Sequence, residues 1–251
     1  MNMEPRSFEK EAVQRRRRNR LMRMVCVSLI SIFSVFHSVQ AQTDVWGDDD
    51  DHSQAVSWGL QGGPNVSSFI MRVDPLLRDT LIMDSVLSAS PAVGFDIGAY
   101  FEYHITSQWR VQLSGRLGMG RATLRYSDHR NQLMTLGADF SLPVIYRTPL
   151  STGHLFFSLA PYCHFVFFSD ADEGFNLYRR QIYTDPLTGK DRFALSDINA
   201  GIALAMGYEF ENGWQLQADA RFGITDILNL ETPGTYVYPY KISLLVGYHF
   251  Q

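Results

Sequence analysis

The body of this chain has no hydrophobic run long enough to form a membrane-spanning helix. Such a helix needs roughly 20 unbroken apolar residues, whereas the one sustained apolar run covers residues 25–36, near the start. Charged residues are also scarce, at 19% of the chain, against about a quarter in an average soluble domain. Cysteine is limited to Cys26 and Cys163. The composition therefore argues against helical membrane spans and fits poorly with an ordinary soluble domain.

Residues 1–41 have the features of a cleaved secretory signal peptide. Arginines at positions 15–18, 20 and 23 precede the apolar run, and the small-x-small exit 39–41 ends at Ala41. A basic region, a short apolar core and a small-residue exit are typical of an export signal. The basic region is over-extended, so Met22 or Met24 is an alternative start. A nucleic-acid patch is the other interpretation of the arginines, but they adjoin an export signal.

Cleavage after Ala41 would change the charge of the chain. The predicted signal holds eight of the 22 basic and three of the 26 acidic residues, which leaves a formal net charge of about −9. An acidic exported protein is a poor candidate for nucleic-acid binding, which depends on positive charge. Cys163 would be the single remaining cysteine, so hydrogen bonding and packing have to stabilise the mature protein.

Residues 42–55 form a predicted acidic, flexible leader. They include Asp48, Asp49, Asp50, Asp51 and His52. Carboxylates at this density are possible Ca²⁺ ligands, but their spacing matches no calcium loop. A solvated leader is the interpretation that we adopt.

The closing segment, residues 240–250, alternates apolar and polar side chains. Tyr240, Ile242 and Leu244 share a parity with Val246, Tyr248 and Phe250, and Lys241, Ser243, Gly247 and His249 occupy the other. A period of two places these sets on opposite faces of a β-strand.

The same alternation recurs through residues 56–251. It predicts eight strands, at residues 56–70, 93–105, 109–119, 134–146, 154–168, 198–210, 214–224 and 240–250. Pro143 lies within the fourth and is expected to require a bulge. Short connections near Thr106, 149–153 and 211–213 alternate with longer ones, such as 71–91 and 169–196. The predicted fold is an all-β, eight-stranded antiparallel transmembrane β-barrel, whose termini and short turns we expect in the periplasm.

Aromatic residues collect at the short-turn end of the apolar faces. The predicted girdle consists of Tyr103, Trp109, Tyr146, Tyr208, Phe210, Trp214, Tyr248 and Phe250. Aromatic rings gather at the headgroup level of membrane barrels. A soluble, lipocalin-like barrel is the alternative, and it would turn the same apolar faces inward.

The opposite faces carry charges of both signs among small residues. This predicted lumenal network consists of Asp96, Glu102, Arg110, Arg116, Asp139, Glu209, Asp219, Arg221 and Lys241. An eight-stranded barrel is just wide enough for side chains to fill it, and buried charges have to be paired. We therefore predict ion pairs that plug the lumen, with a charged pore constriction as the alternative.

Together, the signal peptide, the eight-strand rhythm and the closing Gly247, Tyr248, His249 and Phe250 resemble the PorT-like, OmpA-type outer-membrane β-barrel domain families. The resemblance covers roughly residues 56–251 and implies a protein of the Gram-negative outer membrane, embedded in lipid. It also implies assembly by the barrel-assembly machinery, and PorT-like relatives suggest a link to secretion or surface assembly.

Three functional hypotheses follow. The first is a non-enzymatic structural, adhesive or secretion-accessory barrel that acts through its outer loops. The second is a lipid-modifying hydrolase using His164 or His129 with a serine such as Ser169 and the acid Asp170. His164 and Ser169 have opposite parity, so a bulge would have to bring them together. The third is a small-solute pore. We expect no cofactor and no metal, because the mature histidines (His52, His104, His129, His154, His164, His249) lack ligand spacing.

Overall fold

The computed structural model describes residues 56–72, 86–126, 129–171, 178–179, 181–184, 191–193, 195–228 and 236–250. The predicted signal peptide and acidic leader lie outside these residues. Within the described part of the chain, no helix has the length and hydropathy to cross a bilayer.

The described chain consists of antiparallel strands. They are β1 Val56–Arg72, β2 Val86–His104, β3 Trp109–Tyr126, β4 His129–Ser141, β5 Val144–Leu150, β6 Gly153–Ala171, β7 Gln181–Thr184, β8 Asp191–Phe193, β9 Ile198–Phe210, β10 Trp214–Gly223 and β11 Tyr236–Phe250.

Nine of these strands close into a barrel. Each pairs with its neighbours in the order β1, β2, β3, β4 with β5, β6, β9, β10 and β11, and β11 pairs back onto β1. β4 and β5 share one place, because both pair with β3 and with β6. The ring therefore has eight places, which confirms the predicted fold class.

The fourth predicted strand is interrupted where proline was expected to disturb it. The break falls at Leu142 and Pro143, because proline has no N–H to donate to a ladder. The ring stays joined there. Gln112 N donates to Pro143 O at 2.8 Å, and Leu142 N donates to Pro161 O at 3.2 Å.

Several strands extend further than predicted at the end away from the short turns. β2 begins at Val86 rather than Val93, and β3 continues to Tyr126. Pro91 lies inside the ladder, opposite Ala122, so the proline that ended the predicted connection does not end the strand. The small hairpin β7–β8 lies within the predicted connection 169–196. Backbone pairing extends strands through segments whose side chains do not alternate.

The two ends of the barrel differ. The turn end carries the short connections 105–108, 151–152 and 211–213, together with the first residues of β1 and the last of β11, since Trp58 pairs with Phe250. Gly213 adopts a φ of +85°, which the predicted Asn-Gly hairpin requires. We call the opposite end the loop end.

The apolar parity faces outward. Ile97 is 60% exposed and Leu117 is 58% exposed, whereas the residues that precede them, Asp96 and Arg116, are buried. A soluble barrel would show the reverse. The outer surface is a continuous apolar band and the interior is polar, as lipid on the outside requires.

Candidate functional site: the charged lumen

The nine predicted lumenal charges all lie inside the barrel. Their side chains are at most 12% exposed. They fall into two groups at different heights. The central tier consists of Asp96, Arg116, Asp139, Asp219, Arg221 and Lys241. The turn-end tier consists of Glu102, Arg110 and Glu209, joined by Arg147, His104 and His249.

The central tier connects strands on opposite walls of the barrel. Arg116 on β3 donates two hydrogen bonds to Asp219 on β10, at 2.9 and 3.4 Å, and these strands stand four places apart in the ring. Lys241 on β11 pairs with Asp139 on β4, which is also four places away. Side chains that meet across the full diameter leave little free width at this height.

Further contacts link these pairs into one network. Arg221 lies 2.9 Å from Asp219 and 3.2 Å from Asp139. Lys241 contacts Asp96 at 3.1 Å, and Asp96 also accepts a hydrogen bond from Ser243 Oγ at 2.8 Å. Each carboxylate therefore has a cation partner, as burial of charge demands.

His164 is a member of this network that sequence reasoning did not assign to it. Its Nδ1 lies 2.8 Å from Asp139 Oδ1. Parity was the available signal, because it places His164 on the face opposite to the outward-facing Phe157 and Leu159, but β6 is apolar on both faces and the contrast between them is weak.

The turn-end tier repeats the pattern. Arg110 contacts Glu102 at 2.7 Å and Glu209 at 3.6 Å, and Arg147 contacts Glu209 at 2.8 Å. Arg147 was absent from the predicted set. It follows the outward-facing Tyr146, so strict alternation would have placed it inside.

Apolar side chains cluster in the lumen at the loop end, above the charges of the central tier. This apolar cap consists of Phe69, Ala122, Leu133, Val166, Tyr178, Leu195, Ile227, Leu228 and Val237. Tyr178 comes from the connection after β6, and its ring lies 6.4 Å from that of Phe69. Burial raises the pKa of the Tyr178 hydroxyl, so it stays neutral.

Three polar contacts link residues of the connections at the loop end. Arg179 pairs with Asp197 at 3.5 Å. Asp226 Oδ1 accepts hydrogen bonds from the backbone N–H groups of Leu228 at 3.0 Å and Val237 at 2.9 Å. Partial burial raises the pKa of Asp197, and the Arg179 guanidinium only partly offsets this.

The predicted girdle residues lie on the outer surface at the turn end and contact one another. Trp109 lies 5.1 Å from Tyr146, Tyr208 lies 4.8 Å from Phe210, and Trp214 lies 5.3 Å from Tyr248. Tyr103 is also exposed there. Trp58 joins them, stacked 4.1 Å from Phe250; the glycines of β1 obscured this strand's alternation.

The hydrolase hypothesis depends on the distance between His164 and Ser169. A register shift in β6 brings both residues to the inward face, opposite Asp139 and Thr135 respectively. Those partners stand four residues apart on β4, or roughly 13 Å at about 3.3 Å per residue. A serine–histidine pair needs roughly 3 Å. The side chain of His129 lies outside the description.

Three potential metal ligands meet in the turn-end tier, where the sequence predicted none. One donor atom from each of Glu102, His104 and His249 lies within 4.8 Å of the other two. The sequence could not indicate this group, because His249 lies 145 residues beyond His104 and reaches it only when β11 pairs with β1.

Comparison with known proteins identifies the architecture. A family described as an outer membrane protein beta-barrel domain matches residues 40–229. No curated protein sequence matches the chain.

Three solved structures have a similar fold at low identity. OprG from Pseudomonas aeruginosa is 14% identical over 78% of this chain and 97% of its own, with a TM-score of 0.48. Ail, the attachment invasion locus protein of Yersinia pestis, is 12% identical over 78% and 100%, with a TM-score of 0.38. Neisserial surface protein A is 16% identical over 78% and 100%, also at 0.38. These likenesses are too distant to carry a function.

Proposed function

The chain belongs to the outer membrane protein beta-barrel domain family, and we propose that it is a non-conducting, non-enzymatic barrel that acts through its loop end. It is a small β-barrel protein of the Gram-negative outer membrane. The role we propose is structural, adhesive or secretion-accessory. The narrower likeness to PorT-like proteins stays a prediction, as does assembly by the barrel-assembly machinery.

The observation that carries the proposal is the filling of the lumen. Ion pairs between opposite walls occupy its centre, through Arg116 with Asp219 and Lys241 with Asp139. The apolar cap lies above them. A solute would have to separate buried ion pairs and displace apolar side chains, and each of these steps is costly.

Conductance in planar bilayers tests this part of the proposal. We expect no channel openings from the folded mature chain. The double variant R116A/D219A removes both long side chains of one pair that spans the diameter, and it keeps the charge balance. We therefore expect it to conduct more readily than the unmodified protein. Regular openings from the unmodified protein would favour the pore hypothesis.

The loop end supports a role in surface contacts. The hairpin β7–β8 belongs to the connection that follows β6 at this end, and it forms a sheet separate from the barrel. Tyr178 and Leu195 of the same connection anchor it by packing in the apolar cap. A rigid barrel that fixes exposed connecting segments is suited to recognition.

Replacement of residues 181–193 by a short Gly/Ser linker tests this role. These residues form the β7–β8 hairpin, which is a sheet separate from the barrel. We expect normal heat-modifiability on gels but loss of surface attachment or of secreted-protein assembly in cells. Unchanged phenotypes in both assays would argue against a role for this hairpin. A matched control replaces the turn residues 151–152 at the other end.

The proposal that the protein is not an enzyme rests on the position of His164. It faces the lumen, bound to Asp139, with Ser169 about four register positions away. A hydrolase acting on membrane lipid needs its nucleophile and base adjacent and open to the lipid phase. A lipid A or phospholipid hydrolysis assay with the purified barrel is expected to show no activity above that of H164A.

A further inference from the structure

The turn end of the lumen opens into a cavity of about 420 Å³. Its walls include His104, His249 and His154, together with Glu209 and Glu211. Glu102 lies beneath it, with Oε2 3.8 Å from His104 Nε2 and 3.8 Å from His249 Nδ1. Two imidazole nitrogens and a carboxylate oxygen thus converge beside a space that a water molecule or ion can enter.

We propose that Glu102, His104 and His249 form a binding site for a divalent transition-metal ion, with Zn²⁺ as the best-suited ion. Three nitrogen and oxygen ligands plus one open position are a common Zn²⁺ arrangement. The absence of sulfur and the presence of two imidazoles favour Zn²⁺, Cu²⁺ or Ni²⁺ over Mg²⁺ and Ca²⁺. The cavity supplies the open position.

The distances are close to those that a metal requires. A tetrahedron with bonds of about 2.0–2.1 Å has edges of roughly 3.3 Å. The Glu102 carboxylate oxygen lies 3.8 Å from each imidazole nitrogen, so these two separations have to contract by about half an ångström. The two imidazole nitrogens lie within 4.8 Å of each other, so they have to approach by at most about 1.5 Å. Rotation about the side-chain torsions of the two histidines can provide this movement, since their rings are already neighbours, with centroids 6.5 Å apart.

Each donor atom has a present hydrogen-bond partner that a metal would replace. Ser57 Oγ lies 3.2 Å from His104 Nε2, and Tyr100 OH lies 3.4 Å from His249 Nδ1. Both hydroxyls can rotate. Arg110 contacts Glu102 but also has Glu209 at 3.6 Å, so it keeps a carboxylate partner when Glu102 turns to an ion.

The charge around the cavity favours a cation. Glu102, Glu209 and Glu211 outnumber Arg110 and Arg147, which are the cationic groups facing this end. With neutral histidines, these five side chains carry a formal charge of −1 in total. The cavity therefore attracts a divalent cation.

Such an ion would join β2 to β11 across β1. Gly59 on β1 pairs with both Tyr100 and His249. A Cβ at this position would overlap the Tyr100 ring, so the glycine leaves the gap through which side chains of β2 and β11 meet. The first and last strands of the barrel pair here, and an ion that binds only the closed barrel would stabilise that closure.

Titration of the folded mature chain with Zn²⁺ tests the site. The protein should be purified without a polyhistidine tag and treated with a chelator. Beyond any binding by the acidic leader, we expect one further saturable equivalent by calorimetry and a rise in the temperature at which the fast, unboiled gel band is lost. Co²⁺ should give visible absorption bands typical of tetrahedral nitrogen and oxygen ligands.

Three variants locate the binding. H249N and H104N are each expected to weaken Zn²⁺ affinity at least tenfold and to abolish the thermal shift. H154N is the matched control, because His154 lines the same cavity outside the group, and it should bind as the unmodified chain does. The unmodified chain and the three variants carry the same predicted leader. Any Zn²⁺ that the leader binds therefore contributes equally to all four titrations.

The proposal is overturned if no saturable binding occurs, if H104N retains full affinity, or if H154N loses as much as H249N. Should H249N fail to give a heat-modifiable band, H104N decides the matter. His104 is 25% exposed at the end of β2, so its replacement disturbs the interior least.

Discussion

Arg116 and Asp219 lie 103 residues apart in the chain and join opposite walls of the barrel through two hydrogen bonds, of 2.9 and 3.4 Å. Both side chains are 3% exposed. A pair that is so buried contributes little net stability when intact, because desolvation of the charges offsets their attraction. Its consequence is structural: it fixes the interior width and links the two halves of the sheet.

Breaking this pair is expected to destabilise the barrel strongly. D219A leaves Arg116 as an uncompensated buried charge, which costs about 3–5 kcal/mol. The double variant R116M/D219L should recover part of that loss, since Arg221 retains Asp139. Urea unfolding in detergent measures both proteins. A double variant as unstable as D219A would show that unpaired charge is not the cause.

A methyl group at Gly59 is expected to disrupt the seam between β1 and its neighbours. A Cβ there overlaps the Tyr100 phenol and lies 2.7 Å from the Tyr248 carbonyl oxygen. We expect G59A to lose the heat-modifiable band or to unfold at a clearly lower temperature. G115A is the control, because its Cβ would meet Phe140 at 3.7 Å, an ordinary contact. Equal behaviour of the two variants would contradict the close packing at Gly59.

The free-energy cost of a charge on the outer surface is expected to depend on its depth in the membrane. Leu117 lies near the middle of β3 and is 58% exposed, so L117R should cost about 2–4 kcal/mol in lipid. L150R at the turn end should cost about 0–1 kcal/mol. Folding into lipid vesicles at a series of urea concentrations measures the difference. Indistinguishable midpoints would mean that this face does not contact lipid.

The stability of the loop end is expected to rise as the pH falls below neutral. The pKa of Asp197 is raised because partial burial disfavours its charged form. A carboxyl with a higher pKa in the folded than in the unfolded state disfavours folding when ionised. Stability is therefore gained as the pH falls through the folded pKa, and the gain is complete below the unfolded value.

Protease nicking near Arg179 at several pH values checks this, using a protease whose own pH dependence is calibrated on an unfolded substrate. The unmodified chain should be nicked more slowly as the pH falls. D197N cannot titrate at this position, so its nicking rate should lack this decrease. Parallel curves for the two proteins would exclude Asp197 as the source.

Much of the barrel was predictable because its governing pattern is local. Side chains alternate every second residue along a strand, so the opposite placement of Arg116 and Leu117 follows from their neighbours alone. The same holds for the Asn212-Gly213 hairpin and for the aromatic residues at the turn end. Where β6 is apolar on both faces, or where Pro143 interrupts a strand, alternation no longer identified the inward side chain or the strand boundary.

Outside β1 and β6, the sequence by itself determined which strand residues face lipid and which face the lumen, and it determined that the chain forms an eight-place ring in the outer membrane. Only the tertiary structure decided which charges meet. Strand closure brings Arg116 to Asp219 and Lys241 to Asp139 across the interior. Closure also gathers Glu102, His104 and His249. Such contacts depend on register and barrel diameter, which are properties of the whole sheet that no local pattern records.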